Sequence, residues 1–169
     1  MRLNRETGKW TVKPLDDKRD EYYTTERQME RGFNQVIKFG RFKDRRVVCP
    51  CDTEESEIYK WLIRHKEELQ YKEVVLSDLS KCSCLDFPYK KDDLVITNPP
   101  FSIGSNFLRL LLSVGCDFYI FVPQLSAAHL QLLDLSVYPL KDTIFRRPAG
   151  YEAHNSINCY IANTFPEDT

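Results

Sequence analysis

Apolar and polar positions alternate along this chain in blocks of two kinds. RRVVCPCD, EVVLSD, DDLVITNPP and DFYIFVPQ are short, nearly continuous apolar runs, each closed by an acid, a proline or an amide. Runs of this length without polar alternation predict strands buried on both faces. Between them lie amphipathic stretches. TERQMERGFNQVIKF predicts a helix capped by Thr24 or Thr25. TEESEIYKWLIRHKEEL puts Ile58, Trp61, Leu62 and Leu69 roughly on one helical face. Thr53 is expected to begin it, with three acids in a first turn that suits the helix dipole. SNFLRLLLSVG is a third helix, with Gly115 just past its end. SAAHLQLLDLS reads as a short fourth. CSCLDF reads as a short extra strand, and KDTIFRR and INCYIANTF as a late hairpin-like pair around the loop PAGYEAHN.

Strands alternating with helices imply parallel βαβ units and a sheet covered on both faces. The expected fold is α/β, a doubly wound, mostly parallel sheet of about seven strands with an antiparallel strand near the C-terminal end. Residues 1–20 are polar, mixed in charge and without periodicity, and read as a mobile arm. Residues 21–169 read as one domain. In such sheets ligands bind outside the carboxyl ends of the strands. CPCD, SD, DF, NPPF and VPQ all fall there, so five polar or conformationally restricted tips converge on one edge.

Charge narrows the partners. Lys and Arg number 24 and Asp and Glu 25, which argues against a strongly basic, histone-like binder and leaves room for a local basic patch. No apolar run approaches the roughly 18 residues that cross a bilayer. MRLNRETGKW has no apolar core of a signal peptide, so a cytoplasmic location without membrane attachment is expected. Six cysteines include the pairs CPC and CSC. Zinc sites usually use CxxC or wider spacing, so reduced thiols in and around a core are the expectation, with no metal.

The stretch DLVITNPPFS carries the chemistry. Two adjacent prolines remove two backbone donors and freeze two φ angles. They hold the Asn98 amide, the Pro99 carbonyl and the Phe101 ring in fixed relative positions. That set suits an exocyclic aromatic amine such as adenine N6, whose lone pair is delocalised into its ring. Acceptors on its two N–H groups favour tetrahedral geometry and stabilise the charge that develops as it attacks a methyl group. Asn98 Oδ1 and the Pro99 carbonyl are the two acceptors, Pro100 stiffens the turn, and Phe101 stacks on an extruded base. Extrusion from a duplex costs a few kcal/mol, which stacking and edge hydrogen bonds offset.

VITNPPF resembles the catalytic motif of amino-group methyltransferases that use S-adenosylmethionine. The order DEYYTT, VVCPCDTEES, SD, LDF and DLVITNPPFS resembles the EcoRI-type adenine-specific DNA methyltransferases, in which a CPCD-like stretch replaces a glycine-rich loop. INCYIANTF is similar to that family's closing strand. The resemblance runs from about residue 20 to residue 165. It implies the class I methyltransferase fold, which is Rossmann-like, and S-adenosylmethionine as cofactor. It also implies DNA as the nucleic-acid partner. On this resemblance Asn98, Pro99, Pro100 and Phe101 match the catalytic motif. Cys49, Pro50, Cys51 and Asp52 match the first cofactor loop, near the methionine half. Tyr23 and Thr24 match a motif that holds the cofactor's carboxylate. Asp78 stands where an acid reaches the ribose hydroxyls. Asp86 and Phe87 match the pair that binds the cofactor's adenine.

Two departures stand out. The first loop has no glycine, so cofactor approach must rely on helix N-terminal amides after Asp52 or on side chains. No separate target-recognition domain is expected. Specificity would then come from the arm, the PAGYEAHN loop, a second copy or a specificity subunit. Two other readings keep the fold: RNA or protein glutamine methylation, and a non-catalytic subunit that binds cofactor or nucleic acid. Plainer roles also exist for single residues. Asp52 can serve only a helix start, Asp78 a solvated turn, and Asp86 and Phe87 a loop acid and a core ring. His65 is expected in a solvated face, His129 on a helix surface or in the core, and His154 near the site. Arg146 and Arg147 suit phosphate contacts, and Phe145 or Tyr151 the far face of a flipped base.

Overall fold

A computed structural model of the chain describes residues 2–3, 10–11, 23–77, 84–99, 103–123, 135–139, 144–146, 152–154 and 159–164. Strands β1 (Arg2–Leu3) and β2 (Trp10–Thr11) pair antiparallel within the N-terminal arm. β3 (Tyr23–Thr24) leads into helical residues 26–36. There α1 (Glu26–Gln28) opens on Thr25, whose hydroxyl accepts from Gln28 N at 3.2 Å. The turn widens to a π-helix over Met29–Phe33 and closes as α2 (Asn34–Val36). β4 (Arg46–Cys49), α3 (Glu57–Arg64), α4 (Lys66–Leu69), β5 (Glu73–Leu76), β6 (Leu94–Thr97), α5 (Gly104–Val114) and β7 (Asp117–Pro123) form the strand–helix alternation. β8 (Ser136–Pro139), β9 (Ile144–Arg146), β10 (Glu152–His154) and β11 (Cys159–Asn163) follow.

The architecture is α/β. Strands β5, β4, β6 and β7 lie side by side and parallel, and β11 then β8 extend the sheet, with β11 antiparallel to both its neighbours. The side-chain period of two sorts the strands onto two cores. Val47, Cys49, Leu94, Ile96, Tyr119 and Phe121 pack with Phe33, Ile58, Trp61 and Leu62. Val48, Val95, Phe118, Ile120 and Val122 pack on the other side with Phe107, Leu108 and Leu111. The three strands β4, β6 and β7 are therefore apolar at consecutive positions because both faces are covered, while the edge strand β5 is half-buried.

This winding opens a crevice at one edge of the sheet. From β4 the chain passes through α3 and α4 to β5 on one side. From β6 it passes through α5 to β7 on the other. Connections that leave neighbouring strands in opposite directions open a crevice between their carboxyl ends. At the amino ends an ion pair holds the same two strands. Arg46 Nε and Nη2 donate to the two carboxylate oxygens of Asp93 at 2.7 and 2.6 Å, and Asp93 also accepts from Lys90 N at 2.7 Å. This bidentate contact, with Asp93 buried, holds the Arg46 guanidinium above its usual range.

Four local expectations change. The helix after the CPCD stretch starts at Ser56, whose Oγ accepts from Tyr59 N at 3.3 Å. Thr53 instead closes a preceding turn with Ser56 N at 3.0 Å, so Glu57 is the only acid in the first helical turn. Within CSCLDF, Cys84–Asp86 form a turn and no strand, and residues 82–83 lie outside those described. The two late strands do not pair with each other. β9 pairs with β10 and with β3, while β11 inserts between β7 and β8. His65 is half-buried, its ring 4.6 Å from that of Trp61, and does not sit in a solvated face.

The SAAHLQLL stretch lies outside the described residues. Among the described residues no helix is long and apolar enough to cross a membrane.

Candidate active site at the carboxyl ends of β4 and β6

Both tips follow from simple backbone chemistry. β4 ends because Pro50 cannot donate to a ladder. The Cys49 carbonyl accepts from Asp52 N at 3.4 Å, closing a four-residue turn with Pro50 and Cys51 at its corners. It also accepts from Ser77 N at 3.3 Å, which ties the end of β5 to the same turn. Neither corner residue has a positive φ. This turn therefore has no need of glycine, which explains why the loop lacks one.

The turn places Asp52 in the crevice, 8 % exposed. The Thr97 hydroxyl donates to Asp52 Oδ2 at 3.1 Å from the last residue of β6. Burial pushes the Asp52 carboxyl up to about 7, while hydrogen bonds from Thr97 and Ser56 pull it down. Ser56 thus serves two groups. Its oxygen accepts from Tyr59 N as the cap of α3, and its proton bonds the Asp52 carboxylate.

Thr97 leads directly into Asn98 and Pro99. Asn98 is half-buried and Pro99 buried. Asn98 Nδ2 donates to Thr24 Oγ1 at 3.2 Å across 74 residues of sequence. Thr24 is carried by β3, the edge of a three-stranded sheet in the order β10-β9-β3, where Thr24 is opposite Phe145 and Tyr23 opposite Arg146. Two stretches expected to hold a cofactor and the stretch expected to be catalytic thus come into contact: Asp52 with Thr97, and the adjoining Asn98 with Thr24.

The CPC and CSC pairs also come together in part. The Cys51 thiol hydrogen-bonds Cys84; this bond and then burial raise Cys51 well above an ordinary thiol, while the same bond lowers Cys84 against the opposing effect of burial. Cys49 is fully buried in the opposite core and raised by that burial. Both thiols of the contact are reduced. Among the described residues no group of three or more His, Cys, Asp or Glu could hold a metal ion.

Asp86 and Phe87 lie elsewhere. Asp86 is exposed. Phe87 packs 5.0 Å from the ring of Tyr89 and beneath the Arg46 guanidinium at 5.9 Å, toward the start of β4 rather than its tip. Asp78, Pro100, Phe101, His129, Arg147 and Tyr151 lie outside the described residues. Tyr23, Phe145, Arg146 and His154 are placed by their strands alone.

Sequence reading missed Thr97, Ser56 and Ser77. Thr97 and Ser56 act through their hydroxyls and Ser77 through its backbone N–H, and Thr97 and Ser77 are buried. The available signal was a threonine breaking the apolar run immediately before the amide.

The buried acid gives a pH prediction. A carboxyl held near 7 in the fold and at 3.8 in its unperturbed state favours the fold in its protonated form. That stability is fully present below about pH 4 and is lost as pH rises toward 7, by up to about 1.4 kcal/mol per pH unit. Asp52→Asn is expected to flatten this slope in urea unfolding between pH 5 and 8 and to be the more stable form at pH 8. An unchanged slope would place the charge on solvent-exposed Asp52.

Compared with known proteins, the chain matches no family model and no curated protein.

Proposed function

We propose that the chain is an S-adenosylmethionine-dependent methyltransferase acting on adenine N6 in DNA, built on a Rossmann-like, class I methyltransferase fold. One observation carries the reading. The asparagine of an NPPF motif stands at the carboxyl tip of a central parallel strand, beside the crevice between two oppositely wound connections, with its amide hydrogen-bonded to Thr24. The four parallel strands and the antiparallel β11 support the fold part of the proposal.

The residues at the tip of β4 fit the amino-acid end of such a cofactor. A buried carboxyl that costs free energy to ionise is a natural partner for an ammonium group. Asp52 would accept from that ammonium, and Thr97 and Ser56 would hold the carboxylate in place. When bound, S-adenosylmethionine supplies a methyl group on a sulfonium, so that the N6–C bond forms as the S–C bond breaks and leaves its electron pair on sulfur. Asn98 Oδ1 and the Pro99 carbonyl accept from the two amine N–H groups and favour the tetrahedral nitrogen. The methylated nitrogen would then release one proton to solvent water and become a neutral secondary amine. The rigid Pro99–Pro100 backbone keeps both acceptors from relaxing away.

Calorimetric titration with S-adenosylmethionine and S-adenosylhomocysteine tests the cofactor part. Saturable binding at one site per chain, weakened by Asp52→Ala, is expected. Absence of binding at millimolar ligand would refute it.

A further inference from the structure

An asparagine amide has nearly the same shape in its two flipped orientations, yet the flip exchanges donor for acceptor. The proposed chemistry works with only one of them. Oδ1 must meet the target amine, because an N–H facing that amine would oppose donor to donor. Some group must therefore choose the flip. Nδ2 donates to Thr24 Oγ1 at 3.2 Å, and this places Oδ1 at the end of the amide turned away from Thr24.

A threonine hydroxyl has one proton and can also accept. Alone it satisfies either flip, donating to Oδ1 or accepting from Nδ2. Once its proton is given to an anion, it can only accept. The amide must then present Nδ2 to Thr24 and Oδ1 to the substrate side.

We infer that Thr24 is a positioning residue which passes the presence of a bound carboxylate to the Asn98 amide and locks it in its accepting orientation. This rests on the methyltransferase reading, in which the cofactor's carboxylate lies at Tyr23–Thr24. Cofactor binding then precedes and prepares productive capture of the target amine. The small sheet carries Thr24 on a paired strand. Thr24 pairs in register with Phe145 of β9, and β9 with β10, so strand pairing holds the backbone at position 24.

The test uses the full chain. Its Asn98 side-chain NH2 signals are identified in ¹⁵N–¹H spectra by their loss in Asn98→Ala. S-adenosylhomocysteine, which carries the carboxylate but no methyl group, is the probe. In the wild type it is expected to move those signals downfield and slow their exchange with water. Thr24→Val is expected to shift them without ligand and to abolish the response. It should lower kcat for methyl transfer about tenfold to hundredfold, the size of one lost hydrogen bond to a buried group, with little change in KM for DNA. Thr24→Ser should restore kcat to within about threefold, because it restores the hydroxyl.

If the probe binds and the Asn98 signals do not respond, or if Thr24→Val leaves signals and kcat unchanged, the inference fails while the methyltransferase reading stands. If the probe does not bind at all, both fall.

Discussion

Asn98→Ala is expected to reduce methyl transfer about 100- to 1,000-fold while S-adenosylmethionine still binds. The magnitude is that of losing one preorganised polar group aimed at developing transition-state charge. The split between turnover and binding follows from position. Asn98 follows β6 at the crevice, whereas the groups proposed to hold the cofactor's amino-acid end are Asp52, after β4, for the ammonium and Thr24, on β3, for the carboxylate. Alanine removes the acceptor and also the donor to Thr24. Asn98→Asp keeps an acceptor but replaces the donating NH2 with a carboxylate, which a Thr24 hydroxyl already committed to an anion cannot serve. It is expected to recover little. Single-turnover kinetics with a fixed DNA and saturating cofactor measure both variants. A loss of cofactor affinity as large as the loss of rate would place Asn98 in the binding pocket instead.

Phe33→Ala is expected to have the largest effect on stability. Phe33 is fully buried inside the π-helical turn. Its ring lies 5.3 Å from Trp61 on α3, 6.0 Å from Tyr119 and 5.6 Å from Phe121 on β7. It thus joins three elements of one core. Truncating a buried Phe to Ala costs about 3–5 kcal/mol through lost burial and the cavity left behind. Domains are stable by only about 5–15 kcal/mol, so the variant should unfold at a much lower urea concentration with an unchanged slope. A functional consequence follows. β3, which precedes this helix, carries Thr24, so any loosening of the docked helix reaches Asn98 through the 3.2 Å contact. A cost below about 1 kcal/mol would mean that the helix does not depend on this core.

Much of the sheet was legible because its central strands are buried on both faces. VVC, LVIT and DFYIFVP need no alternation, and their lengths are set by prolines and charges. Caps were legible where the cue is local. Thr25 accepts from Gln28 N, and Gly115 takes the left-handed φ of 84° that ends α5. Ser56 and Thr53 are both acceptable caps by type, and the preceding turn decides between them through Ser56 N to Thr53 O.

The late strands failed for a different reason. Strand propensity says that IFR and CYIAN extend, but not with what. β9 finds β3, more than 120 residues earlier in the chain, and β11 finds β7 and β8. The turn at Cys84–Asp86 was misread as strand, although the Tyr89 hydroxyl donates to the Cys84 carbonyl at 2.6 Å and folds the segment onto the sheet face.

The candidate site was legible as residue types and order. Its wiring was not. Asp52 to Thr97, Asn98 to Thr24 and Cys51 to Cys84 are all tertiary contacts that no local spacing announces.

Digestion of reacted DNA to nucleosides tests the central claim most directly. Duplex DNA of mixed sequence would be incubated with the chain and methyl-labelled S-adenosylmethionine, then hydrolysed and separated. The account predicts label in N6-methyldeoxyadenosine, and its loss with Asn98→Ala. Label confined to RNA or to protein glutamine, or no transfer by a chain that binds the cofactor, would contradict it.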